Sequence, residues 1–382
     1  MKPLMFARLC FGMLAVFSAA PATAQPSPPR PVRLLVVGLT HDHVFWLLHR
    51  PRDRGDVRIV AVVEPDEALA RERLRDAALD AELWRPTLED AIRDTHPEAA
   101  CLFGSIRAHR DAAIACAEAG LHVMVEKPLA VDAEAADAMA AAAERAGVHL
   151  LTNYETTWSA ATRELGERLR SGHIGRTRRM VFRMGHGGPI EIGCREPFLA
   201  WLLDPAENGA GALTDFGCYG VNLATWFLGG ERPVSVTATT ATRKPDLYPR
   251  VDDDATITLE YADAVAIVQA SWNWPRGIKE TRVTTTEAEL IAEGDRLTVR
   301  RGDGPAESVS PADLQAAEAD PFAHLASVVR GQRAPNALSS LRNNRIVVEV
   351  LDAARRSAAT GERIELTPRR ATGAGTPPRP AG

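Results

Sequence analysis

The sequence predicts an α/β protein with two sheets. Its N-terminal half reads as a doubly wound parallel sheet, and its C-terminal half as an α/β domain on a large open, mainly antiparallel sheet. Three observations carry this. From Val32 to Thr152, short apolar runs alternate with helical stretches, the pattern of βαβ units. After about residue 155 the runs lengthen, are rich in Thr and Val, and several alternate. The chain has 382 residues, enough for two domains.

Val32 to Gly38 is a near-continuous apolar run ending in glycine, as a strand buried on both faces is. His41 to Arg50 reads as a helix and Val57 to Val63 as a second buried strand, with a helix opened by Pro65-Asp66. A short helix over Thr87 to Arg93 precedes a strand at Ala99 to Phe103 and a helix at Ala108 to Ala119. The strand His122 to Val125 stops at Glu126-Lys127-Pro128. An Ala-rich helix, Asp132 to Ala146, ends at Gly147, and Val148 to Thr152 is one more strand. These elements form a domain over 32–155.

The second domain, 156–366, opens with a helix over Thr157 to Arg170. Strands are expected at Thr177 to Arg183, Val234 to Thr242, Ala255 to Tyr261, Ala264 to Trp272 and Thr281 to Thr286. Leu290 to Arg300 continues in that style. One helix, Ala210 to Phe227, interrupts the strands, and a last helix, Leu338 to Ala359, packs back on the sheet or on the first domain.

The ends of the chain carry different information. Lys2 and Arg8, an apolar run from Leu9 to Ala20 and the small residues of Ala22-Thr23-Ala24 form a signal-peptide pattern over 1–24, with cleavage expected after Ala24. Its apolar run is short for a membrane span, so a periplasmic or secreted protein without stable membrane insertion is expected. Residues 367–382 are rich in Gly, Pro and Arg and read as a disordered tail. A net charge of −5 with no long basic block argues against nucleic acid as a partner. Cys101, Cys116, Cys194 and Cys218 lack metal-type spacing; an exported context permits disulfides, but Cys101 in a strand-like run and Cys116 on a helix favour buried free thiols.

An open parallel sheet binds ligands at the carboxyl ends of its strands. Those ends are Gly38 to His43, Glu64, Gly104-Ser105, Glu126-Lys127 and Asn153 to Glu155. A G-x-G-x-x-G pattern laid on the first turn keeps only Gly38, with Thr40 and His43 in place of the other glycines. The turn of Gly38, Thr40, His41 and Asp42 still opens a helix whose N–H groups suit an anion. Glu64 can accept both ribose hydroxyls and would repel a 2′-phosphate, which favours NAD over NADP. His41 and His43 are two apart and would not share a helix face, so no metal is expected. Pro128 keeps Lys127 out of the α region. Lys127 thus stands extended at a strand tip, where desolvation eases proton exchange near neutral pH, with Glu126 beside it to orient the ammonium.

Here the chain resembles the Gfo/Idh/MocA oxidoreductases. Val123-Met-Val-Glu-Lys-Pro-Leu-Ala130, with His109 and Ala119-Gly-Leu-His-Val123 before it, is similar to the family hallmark. Gly209-Ala-Gly-Ala-Leu-Thr-Asp-Phe-Gly-Cys-Tyr219 resembles the second-domain active-site helix; Ser171 to Gly175 and Ser357 to Gly361 match further family positions. The sequence departs from the family in its glycine turn and in Gly104-Ser105-Ile106, where Thr-Pro-Asn is usual.

The resemblance implies a Rossmann domain, NAD or NADP as cofactor, a carbohydrate substrate (sugar, glycoside or polyol) and a homo-oligomer through the C-terminal sheet; export to a compartment poor in free nucleotide adds the expectation of a tightly bound NAD. It implies that Lys127 hydrogen-bonds the reacting hydroxyl, that Asp215 positions the substrate, and that Tyr219 stands where many members have His. Four apart on one helix, Asp215 and Tyr219 would share a face, and a Tyr near Lys127 would have a lowered pKa. The expected cofactor set is Gly38, Thr40, His41, Asp42, Glu64, Ser105, Glu126 and Lys127. Two other activities fit the resemblance: net glycoside cleavage by transient oxidation on retained NAD, and carbohydrate binding without catalysis. Trp158, Trp201, Trp226, Trp272 and Trp274 are candidate sugar platforms. His186 and Arg195 lie in a loop-like stretch.

Overall fold

The computed structural model describes residues 30–366. The expected signal segment at 1–24 and tail at 367–382 lie outside them. Six strands form the first sheet: β1 (Val32–Val37), β2 (Val57–Val63), β3 (Trp84–Arg85), β4 (Ala99–Leu102), β5 (His122–Glu126) and β6 (Leu150–Asn153). All pairs are parallel, in the order β3-β2-β1-β4-β5-β6. The helices between them are α1 (Val44–Leu48), α2 (Glu67–Asp76), α3 (Leu88–Thr95), α4 (Ile106–Glu118) and α5 (Ala133–Ala146). Side-chain caps set their starts: Asp66 opens α2, Thr87 α3, Ser105 α4 and Asp132 α5. Gly147 closes α5 in the left-handed conformation. The doubly wound sheet is therefore as expected. The first helix is not, because it begins only at Val44 and leaves His41 and Asp42 in the turn.

The second half opens with a 3-10 turn (Glu155–Trp158) and α6 (Ala160–Ser171), where one continuous helix was expected. Strand β7 (Thr177–Gly185) follows, then α7 (Glu196–Leu202) and α8 (Pro205–Asn208) in the stretch that read as a loop. The expected helix over 210–227 is broken at Phe216 into α9 (Ala212–Asp215) and α10 (Gly217–Phe227). Strands β8 (Ser235–Ala241), β9 (Asp254–Glu260), β10 (Val265–Ser271), β11 (Ile278–Thr285), β12 (Ala288–Glu293), β13 (Arg296–Arg301) and β14 (Glu307–Val309) come next. The chain ends with α11 (Ala316–Ala319), α12 (Pro321–Val329), α13 (Leu341–Thr360) and β15 (Ile364–Glu365).

The nine strands lie in the order β14-β13-β12-β11-β7-β10-β9-β8-β15. Only β7 with β10 is parallel. Helices α6, α9, α10 and α13 cover one face. Along β7, Met180, Phe182 and Met184 point into that core, while Val181 and Arg183 remain partly exposed on the other face.

Helix α13 joins the halves. It packs on α10 and β8 of the second sheet and on α5 and β6 of the first. Its Asp352 accepts the Ala133 N–H at 2.7 Å. Helix α12, which the sequence reading missed, returns to the first domain and buries Phe322, Leu325 and Val328 with Leu34 and Val36. Cys101, Cys116 and Cys218 are buried free thiols and Cys194 a partly buried one. Among the described residues no helix is long and apolar enough to cross a membrane.

Candidate active site

Strand β5 runs buried between β4 and β6 and delivers Glu126 and Lys127 to the carboxyl edge of the first sheet. Lys127 is only 6% exposed. Its Nζ is ion-paired with Asp215 Oδ1 and donates to the Asp215 carbonyl at 3.2 Å. The other carboxylate oxygen, Oδ2, accepts the Trp272 indole N–H at 3.0 Å. Burial alone would lower the Lys127 pKa, but Asp215 outweighs it and holds the ammonium above its ordinary range. Burial would raise Asp215, yet Lys127, His186 and the Trp272 hydrogen bond hold it below the usual carboxylate value. Lys127 is thus a fixed cation, and the expected easy proton exchange near neutral pH is corrected by its partner.

Tyr219 reaches the same corner from α10, its ring 5.4 Å from Lys127 Nζ. The break at Phe216 shows that a shared helix face is not what unites it with Asp215; both converge on Lys127. The Tyr219 hydroxyl donates to Glu155 Oε2 at 3.2 Å, and that oxygen is also ion-paired with Lys279 from β11. Burial, then the Glu155 charge, push the Tyr219 pKa well above its ordinary value. That is opposite to the expected direction: Asp215 already neutralises the nearby cation, and the group touching the phenol is an anion.

Beside this corner the ends of β7 and β11 enclose a cavity of ≈ 550 Å³ lined by His186, Phe216 and Lys279. Burial lowers the His186 pKa, and its Nδ1 accepts the Gly188 N–H at 3.0 Å. Trp272 is wholly buried, so it orients Asp215 and offers no stacking face; Trp274 is partly exposed.

The chain reverses direction between β1 and β4, and this switch point is where open sheets take ligands. A cavity of ≈ 520 Å³ lies there, lined by Gly38, Thr40, Glu64 and Ser105, with Val37 and Leu102 among its apolar walls. Gly38 has φ +79°, and a Cβ on it would stand 2.8 Å from the Gly104 nitrogen. Gly38→Ala is therefore expected to destabilise the fold by about 1–3 kcal/mol from backbone strain alone, measured as a lower urea midpoint. Glu64 is buried, accepts the Leu39 and Asp66 N–H groups at 2.9 and 3.2 Å, and has its pKa raised by that burial. Asp66, not Glu64, caps α2.

Of the other cofactor candidates, His41, Asp42, Glu126 and Lys127 do not line this cavity. Asp42 accepts the backbone N–H of Arg195 at 3.1 Å. Ser105 lines the cavity but donates to Glu207 at 2.6 Å while capping α4. Glu126 is buried between His43 Nδ1 at 3.0 Å and Asn153 Nδ2 at 2.8 Å. Burial would raise its pKa, but His43, His41 and Asn153 bring it down to about 2. Helices α7 and α8 of the second domain thus reach over the switch point, placing Pro197, Ala200 and Trp201 in the cavity wall. The buried Trp201 indole N–H, a donor only, has no acceptor among the described groups. Two signals marked this strap in the sequence: Pro197 near the start of α7, and Asp204-Pro205 as cap and first residue of α8.

His41, His43 and Glu126 come together, their ligating atoms within 4.8 Å of one another. The helix-face argument for keeping the histidines apart fails because His41 precedes the helix. The hydrogen bonding nevertheless disfavours a metal. His41 Nδ1 accepts the His43 N–H at 3.0 Å, which places the ring proton on Nε2, the nitrogen facing Glu126 3.9 Å away. A ligand would need that nitrogen bare and its other one donating outward.

Comparison with known proteins agrees with this architecture. Residues 32–154 match the model of an oxidoreductase family with an NAD-binding Rossmann fold, and residues 162–291 match the GFO/IDH/MocA C-terminal domain. A trans-1,2-dihydrobenzene-1,2-diol dehydrogenase of Xenopus laevis is 32% identical over 154 residues, which is 40% of this chain and only 43% of that protein. The D-apiose dehydrogenase of Paraburkholderia graminis is 28% identical over 84% of this chain and 86% of its own length. An inositol dehydrogenase homolog from Azotobacter vinelandii, solved with NAD+, superposes with a TM-score of 0.76 at 19% identity, covering 88% of this chain and 98% of that one, a likeness of fold alone. With each half matching its own domain of one family, the chain belongs to the Gfo/Idh/MocA oxidoreductases.

Proposed function

We propose that this chain is an exported oxidoreductase that moves a hydride between NAD and the hydroxyl-bearing carbon of a sugar, glycoside or polyol. The observation that carries this is the buried Lys127–Asp215 pair, with Tyr219 against it, at the junction of the two domains. Lys127 would donate to the reacting oxygen and stabilise negative charge developing there. Asp215, itself held by Trp272, fixes the ammonium in place. The carbohydrate reading draws on the dehydrogenase relatives, D-apiose dehydrogenase among them.

The residues fit a dinucleotide. The switch-point cavity has apolar walls, a close-packed glycine turn and a buried carboxylate. Bound nicotinamide would supply the hydride acceptor or donor. Gly38, Thr40, Glu64 and Ser105 would hold the nucleotide, with Glu64 on the ribose, which supports NAD over NADP. Glu64→Gln is expected to weaken NAD binding about tenfold and to narrow its preference over NADP, read by titrating stripped protein with each nucleotide.

The α7–α8 strap supports a tightly held cofactor, since it adds contacts that cross between the domains beside the cavity. A retained cofactor is regenerated in place, and this also favours the second reading, glycoside cleavage through transient oxidation. A released, unoxidised sugar would support cleavage; a keto-sugar supports dehydrogenation. Export rests on the pattern over 1–24, and oligomerisation on the partly exposed sheet face around Val181 and Ile267. The deciding experiment is mass spectrometry of natively isolated protein. The proposal expects NAD bound to it; a nucleotide-free protein that fails to bind NAD in calorimetry would leave the carbohydrate-binding alternative.

A further inference from the structure

Oxidising a hydroxyl-bearing carbon releases a proton as well as a hydride, and the residues named so far have nowhere to put it. Lys127 is a cation with donors only. Both oxygens of Asp215 are engaged, by Lys127 and by Trp272, and the side chain is buried away from water. His186 Nδ1 is taken by the Gly188 N–H. Tyr219 can accept a proton on its oxygen only by giving one up, because a free phenolate there would be both buried and set against an anion.

Resting on the dehydrogenase reading above, we propose that Glu155 is the proton acceptor of this site, working through Tyr219. The Tyr219 hydroxyl already donates to Glu155 Oε2. Tyr219 is 1% exposed, whereas the Glu155 side chain is 36% exposed, so the pair leads from the dry corner at Lys127 to solvent. Glu155 comes from the turn that links the first sheet to α6, and its partner Lys279 from the second sheet, so the relay is built where the two sheets meet.

The step balances. The substrate O–H bond breaks and its proton goes to the Tyr219 oxygen as the Tyr219 O–H bond breaks and that proton passes to the Glu155 carboxylate. The hydrogen on the hydroxyl-bearing carbon would leave with the C–H electron pair as hydride to a bound oxidised nicotinamide, which would thereby be reduced, and the substrate carbon becomes a carbonyl. Glu155 then loses its proton to water and returns to the carboxylate. Reduction runs the same transfers backwards.

The charged and titratable groups facing Glu155 are Lys279 from β11, His43 from the first turn, Lys127 from β5 and Tyr219 from α10. Burial would raise its pKa, but Lys279, then His43, hold it below the ordinary carboxylate value. A carboxylate held low returns its proton to water readily, at the cost of some driving force for accepting it.

The test starts from protein with its bound nucleotide, mixed with D-glucose, D-xylose and myo-inositol, following the near-ultraviolet absorbance of reduced nicotinamide. With a responding sugar, Glu155→Gln is expected to lower kcat about 100-fold with KM within about threefold and nucleotide content unchanged. In Glu155→Ala, added acetate should restore turnover in proportion to its concentration, since a small carboxylate can enter where the side chain was. Lys279→Met should move the acid limb of the kcat profile to higher pH. The relay is overturned if Glu155→Gln keeps wild-type kcat, or if Glu155→Ala loses activity that acetate does not restore. If the wild type neither holds nicotinamide nor reduces it with any of these sugars, the dehydrogenase reading falls first and takes the relay with it.

Discussion

Lys127→Met is expected to lower turnover by about 10³-fold while nucleotide binding persists, because the ammonium stabilises charge that develops only during reaction. The switch-point cavity proposed for the nucleotide is lined by Gly38, Glu64 and Ser105 and not by Lys127, so affinity for NAD should change little. The same substitution leaves the Asp215 carboxylate buried without its cation, which costs about 3–5 kcal/mol. Stability and activity can be separated. In a Lys127→Met/Asp215→Asn double variant much of the lost stability should return, since no charge is left unpaired, while turnover stays low. Urea midpoints and single-turnover rates on the three proteins measure both. Recovery of turnover in the double variant would remove Lys127 from the chemistry.

Asp215→Asn should lower kcat by about 10- to 100-fold and move its alkaline limb toward neutral pH. In the native protein, burial pulls the Lys127 pKa down and Asp215 more than restores it. Without the carboxylate the main raising partner is gone, Glu126 remaining as a weaker one, and Lys127 loses its proton at a lower pH. The sign for stability follows from the same pair. The raised Lys127 pKa contributes stability that is complete below its unfolded value and disappears as pH rises through the folded one. The lowered Asp215 pKa contributes stability that is present above its unfolded value and is lost as pH falls through the folded one. The pair therefore supports the fold between about pH 4 and pH 10. A kcat profile whose alkaline limb does not move would show that Asp215 does not control the Lys127 proton.

The placing of Lys127 at a strand tip was legible in the sequence because local order defines it. The apolar run of β5 stops at Glu126-Lys127-Pro128, and a strand that stops in a doubly wound sheet stops at the ligand edge. Asp215 and Tyr219 were found by resemblance, although the reason given for their meeting was incomplete, because Phe216 interrupts the helix between them. Glu155 was visible as a strand-end residue, but its contact with Tyr219 spans 64 positions, and no local pattern encodes it. Lys279 sits on an ordinary strand and gains its meaning from the way β11 lies against β7. The Tyr219 pKa was misjudged for the same reason: its direction depends on which charges are already neutralised, and that is a property of the packed site. The strap was overlooked because α7 and α8 are short, though their prolines marked them. The histidine turn was misread by assuming a helix that starts three residues later than expected.

The central claim is that Lys127 serves hydride transfer on a nicotinamide held by this chain. Rapid mixing of natively isolated protein with a carbohydrate, following the absorbance of its own bound nicotinamide, tests this most directly. The wild type is expected to show a redox change within one turnover, and Lys127→Met one about 10³-fold slower at equal nucleotide content. Equal rates in the two proteins, or a wild type that cannot be loaded with NAD, would contradict it.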